Sequence, residues 1–138
     1  MAGTNGSRPK SIDQHMEKAS IALVRTQYFE AEQLCLKALT MARRAHDFDC
    51  MSRICLPLQE ARRQRRHAAC DVRGCTILSS LPGPGAKIAP GRYLVTPPLV
   101  GIEARSVRDL ASRQQTPIMV LAREPVTKSG RWPMVGVG

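Results

Sequence analysis

Tyr28–Ala45, YFEAEQLCLKALTMARRA, is the stretch whose pattern decides the fold of the N-terminal half. Ala31, Leu34, Cys35, Ala38, Met41, Ala42 and Ala45 recur at steps of three and four, while Glu30, Glu32, Gln33, Lys37 and Arg44 fill the other side. That spacing is the period of an amphipathic helix, and such a helix needs partners to bury its apolar stripe. Upstream, Ser11 is a candidate N-cap. Ile12, Met16, Ala19, Ile21 and Leu23 then mark a first helix to about Arg25, with Asp13 near its positive end. The break at Thr26 and Gln27 is so short that the two helices are expected to fold back as an antiparallel pair.

Downstream, His46 to Asp49 forms the next connection, with Asp47 or Asp49 as cap of a third helix running to about Ala69. Ile54, Leu58, Ala61 and Ala68 line one face of it. Pro57 leaves two alternatives, because proline removes a helical hydrogen bond. Either the helix bends there, or it begins in earnest at Leu56 with Pro57 in its first turn.

The run QYFEAEQLCLKALTMARRAHD resembles the second helix of a tetratricopeptide repeat, with Tyr28, Ala31 and Ala38 at the family's aromatic and small positions. The small residues allow the two helices of a repeat to approach closely. The resemblance covers residues 12 to 66, about one and a half repeats; the place of the first helix's Trp falls near His15. It implies a helical hairpin that binds a partner protein or peptide, an apolar edge being left where a further repeat would stack.

The texture changes after Asp71 and Gly74. CTILSS is a short β-prone run, and LPGPGAKIAPG is a turn-rich connection. RYLVTPPLV reads as a strand ended by Pro97 and Pro98, residues 102–115 as a helix with Ala104, Val107, Leu110 and Ala111 on one face, and PIMVLA as a strand covered on both faces. Strand, helix, strand is the parallel crossover unit. A turn follows, and residues 132–137 return as a last strand. The expected fold is therefore α+β: a disordered tail at 1–10, a helical lobe at 11–71 with three helices, and a small α/β lobe at 72–138.

A formal charge of +10, from 21 Lys and Arg against 11 Asp and Glu, favours an acidic partner. The basic run Arg62, Arg63, Arg65 and Arg66, extended by Arg43 and Arg44, is the candidate face for a partner or for nucleic-acid phosphates. With two Phe, two Tyr and one Trp, the chain has little from which to build a base-stacking platform. A second candidate is the turn holding Arg123, Glu124, Lys128, Arg131 and Trp132, which follows the carboxyl end of a parallel strand, where α/β sheets place ligands.

Five cysteines without an apolar leader point to a reducing, cytoplasmic location. No apolar run is long enough to span a bilayer. Cys35, Cys50, Cys55, Cys70 and Cys75 with His46 and His67 lack the spacing of a zinc site, and no metal or cofactor is expected. No Ser/His/Asp set or paired carboxylate emerges. The expected function is a non-enzymatic protein-interaction or scaffold module, with partner binding or self-association through the helical surface. A basic nucleic-acid-binding protein is the second reading, and an enzyme using the 123–132 turn is the third.

Overall fold

The computed structural model describes residues 10–137, so the expected tail lies outside the described residues except for Lys10, which opens the first helix. The fold is α+β, with eight elements in chain order: α1 (Lys10–Val24), α2 (Tyr28–Arg44), α3 (Phe48–Cys70), β1 (Thr76–Leu78), β2 (Gly91–Val95), α4 (Gly101–Arg113), β3 (Ile118–Arg123) and β4 (Met134–Val137). Two compact units divide between Gln64 and Arg65, inside α3.

In the helical unit, α1, α2 and the first part of α3 pack through small side chains. Ile12, Ala19, Cys35, Ala38, Ala42, Cys50, Ile54 and Leu58 form the main cluster, and Ala22, Ala31 and Ala61 form a second. Alanine at these crossings lets helix backbones approach closely. Three expectations need correction. Ile21 is 45% exposed and Val24 85%, so Ala22 rather than Ile21 carries the inner face of α1. Ala45 is exposed beyond the end of α2. Glu32, assigned to the solvent side, is only 7% exposed.

Three helices end alike. At the end of α1, Gln27 N donates to Ala22 O and Thr26 N to Leu23 O. Asp47 and His46 repeat this on Ala42 and Arg43 after α2, and Thr116 and Gln115 repeat it on Ala111 and Ser112 after α4. This paired closure needs a left-handed residue in its bend, a place usually held by glycine. Thr26 (φ 59°), His46 (φ 52°) and Gln115 (φ 53°) occupy it here. Asp47 serves two helices: its amide closes α2, and its carboxylate accepts from Cys50 N at 2.9 Å to cap α3.

Of the two readings left open by Pro57, the structure takes the continuous one, with Pro57 inside a 23-residue helix. The buried residues of α3 are Cys50, Ile54, Leu58, Ala61 and Ala69. Ala68 is only half-buried, so Ala69 takes the inward place assigned to its neighbour.

In the second unit the sheet order is β1-β2-β3-β4. β1 and β2 are parallel, as are β2 and β3, and β4 runs antiparallel to β3. The β2-α4-β3 segment is the expected parallel crossover. The connection from β1 to β2 contains no helix. Its Ile88 instead enters the core, and the Gln114 side chain grips the loop at both ends of its amide, accepting from Ile88 N at 2.9 Å and donating to Ala86 O at 2.7 Å. Tyr93, Val95, Val120 and Ala122 meet Ala104 and Ala111 of α4 in one cluster, joined by Leu78 and Val137. Burial along β3 alternates, with Val120 and Ala122 buried and their neighbours half-buried. The expectation that β3 is covered on both faces is thereby corrected: its sequence is apolar throughout, but only the even-numbered positions face α4.

Candidate interaction surfaces

The six arginines assigned to the basic face have different fates. Arg43 and Arg44 lie exposed in the last turn of α2, where cations complement the helix dipole. Arg62 Nε meets Glu32 Oε1 at 2.8 Å, which satisfies the most buried carboxylate of the helical unit. Arg63 holds both oxygens of Glu60, at 2.8 and 2.9 Å, and that carboxylate keeps its guanidinium protonated more firmly than usual. Arg65 Nη2 donates to Ser112 Oγ at 3.3 Å, tying the end of α3 to α4 within the α/β unit. Arg66 is exposed. Arg62 and Arg63 thus have carboxylate partners. The run of four charges is not a set of four aimed together at solvent.

The second candidate site closes on itself. Arg123 lies over the Trp132 ring at 4.1 Å from its centroid. Glu124 N donates to Pro133 O, Thr127 N to Arg131 O, and Arg131 N to Thr127 Oγ1, while Gly130 supplies the left-handed position (φ 75°). Lys128 and Arg131 remain exposed. The structure brings Arg123 and Trp132 together. It directs Glu124 away from them, with Oε1 3.7 Å from the place a Cβ would take on Gly101 at the start of α4.

Two apolar surfaces escaped the sequence reading. On α3, Phe48 and Leu56 are each 70% exposed. They stand eight residues apart, two turns along one stripe, with Met51 and Cys55 half-buried beside them. In sequence Phe48 falls within the connection between α2 and α3, which hides its helical phase. The sheet face away from α4 carries Ile77, Leu94 and Leu121 in register across three strands. Period-two alternation could have found this row once pairing was known, but registers between distant segments are not written in local pattern.

Between α1 and α2 lies an open hollow of about 370 Å³ lined by His15, Gln33, Leu36, Lys37, Thr40 and Met41. The Thr40 hydroxyl donates to Leu36 O and the His15 ring is bonded through Nδ1 to Ser11 O, so the polar lining of the hollow is largely committed to α1 and α2 themselves. Cys35 is buried, and burial, followed by the nearby Glu32, raises its thiol above the ordinary range, away from nucleophilic use. Among the described residues no three His, Cys, Asp or Glu side chains gather as metal ligands, and no helix is long and apolar enough to cross a membrane. No protein-family model, curated protein or solved structure matches this chain.

Proposed function

We propose that the chain is a non-enzymatic interaction module whose helical unit, the part resembling a tetratricopeptide hairpin, packs against a helix of a partner protein or of a second copy. The observation that carries this reading is the stripe on α3 where Phe48 and Leu56 are each 70% exposed. Two large apolar side chains on one stripe of a helix are the anchor pattern of helix-to-helix recognition. In a stacked-repeat architecture the corresponding face is covered by the next helix. Five free cysteines, with Cys70 and Cys75 exposed, fit a reducing compartment, and we place the protein in the cytoplasm.

The test is sedimentation equilibrium over a range of concentrations, together with affinity capture, for the native chain and for Phe48→Glu/Leu56→Glu. The native chain is expected to self-associate or to retain a partner, and the variant to lose that association while keeping its helical circular dichroism. A monomeric native chain whose captured proteins match those of the variant overturns the reading.

The nucleic-acid reading retains one specific support. Residues 65–138 hold eleven Lys and Arg against four Asp and Glu, whereas residues 1–64 hold ten against seven. The Arg62 to Arg66 run lends it less, since Glu32 and Glu60 pair with Arg62 and Arg63. Binding to duplex DNA that weakens steeply with salt would support this reading, and no binding at low salt excludes it.

A further inference from the structure

We propose that the sheet face opposite α4 docks an acidic amphipathic helix of a partner protein. Tyr93, Val95, Val120, Ala122 and Val137 point to the α4 side, so the alternate positions Ile77, Leu94, Met119, Leu121, Arg123 and Met134 point to the other. Ile77 is 66% exposed and Met134 54%, Leu94 and Leu121 are half-buried between them, and Met119 marks the covered edge of the face, its sulfur accepting from the Cys70 thiol at 3.6 Å at the end of α3. Trp132, 55% exposed, extends the surface by stacking on Arg123. Parallel strands normally sit between two layers. Here α4 supplies one layer, and a helix laid across the second face would complete the same arrangement. A contiguous apolar surface rimmed by polar groups is the usual mark of a protein contact.

The charge of the occupant follows from the strands themselves. Their eighteen residues include two charged ones, Arg92 and Arg123, and both fall on this face. Neither has a carboxylate partner among the described residues. Arg92 donates to the carbonyls of Gly74 and Val72 at 3.1 and 3.4 Å. Arg123 has its Nε sheltered from solvent without an acceptor. Lys128 and Arg131 add exposed positive charge in the adjoining turn, whose one acid, Glu124, is turned toward the start of α4. Carboxylates flanking an apolar stripe would complement these groups. A second copy would bring arginines to arginines, and a nucleic acid would meet an aliphatic surface with Trp132 as its one aromatic.

Trp132 is the single tryptophan of the chain and reports on this face directly. The probes are two synthetic helical peptides sharing one leucine stripe, the first flanked by Glu and the second by Lys. The Glu-flanked peptide is expected to shift Trp132 emission saturably to the blue, with affinity that falls as salt rises. Ile77→Glu, at an exposed position that leaves the core untouched, is expected to weaken binding about tenfold or more, equivalent to about 1.4 kcal/mol. Phe48→Glu/Leu56→Glu is expected to leave it unchanged, which separates this surface from the stripe on α3. The proposal is overturned by the absence of a saturable shift, by an equal response to the Lys-flanked peptide, by displacement of the bound peptide by duplex DNA, or by a dimer of the native chain that Ile77→Glu dissociates.

Discussion

In the helical unit Ala19, Ala31, Ala38, Ala42 and Ala61 are fully buried beside Cys35, and Ile12 and Ile54 are the large residues among them. In the α/β unit the fully or nearly fully buried set includes Val95, Val107 and Val120 together with Ala104, Ala111 and Ala122. The difference reflects what each interface must fill. Helices crossing at alanine leave no room for a longer side chain, whereas a helix lying on a sheet leaves space that branched residues occupy. One unit should therefore be more sensitive to growth and the other to truncation.

The largest effect is expected from growth. Ala38→Leu inserts three carbons at a fully buried helix crossing and should cost about 3 kcal/mol, the upper end of ordinary overpacking, read as a lower urea midpoint of the helical circular dichroism signal. Truncation should come next. Val95→Ala leaves a void in the sheet core and should cost about 2 kcal/mol, read by Trp132 fluorescence, which reports on the α/β unit. If Val95→Ala proves harmless while Ile54→Ala is severe, the contrast between the two interfaces is wrong.

A smaller effect of opposite sign separates the connections. Thr26 holds a left-handed conformation that a β-branched residue adopts at a cost, so Thr26→Gly should stabilise the helical unit by about 1 kcal/mol and raise its melting temperature. The matching exchange in the α/β unit, Gln115→Gly after α4, should gain less, because the Gln115 side chain is not β-branched.

The smallest effect is alkaline. Burial, then Glu32, raises the Cys35 thiol, and burial raises the Tyr93 phenol, whose hydroxyl donates to Ala89 O at 2.7 Å. Both groups are neutral when protonated. A raised folded value means that the stabilisation is fully present below the unfolded value and is lost as pH rises through the folded one. With ordinary values of about 8.5 for a thiol and about 10 for a phenol, the helical unit should weaken at lower pH than the α/β unit. Cys35→Ala should remove the earlier loss alone, as read by stability against pH with circular dichroism for one unit and Trp132 emission for the other.

Much of this architecture was legible because its signals are local. The spacing of Ala31, Cys35, Ala38 and Ala42 marks α2, the polar side chain of Asp47 marks the start of α3, and Pro97 with Pro98 marks the end of β2. What escaped depends on distance along the chain. Arg62 and Glu32 are 30 residues apart, so their pairing, and with it the burial of Glu32, has no local trace. β3 is apolar at every position from Ile118 to Ala122, and only the strand register shows which residues face α4. Ile88 lies in a stretch full of glycine and proline, whose turn signal masked a core residue. Of the candidate sites, the arginines are visible in the sequence but their carboxylates are not, and Trp132 is visible without the apolar sheet face beside it.

The grip of Gln114 on the β1–β2 connection sets where the α/β unit yields first to a protease. Twelve residues separate Leu78 from Gly91, and no helix among them supplies hydrogen bonds along the way. The amide of one side chain, bonded at Ala86 and Ile88, fastens the half of that span nearer β2 to the end of α4. Gln114→Ala would release it, and Lys87, whose exposed side chain lies between the two bonded residues, would become the preferred tryptic cleavage point of the native chain.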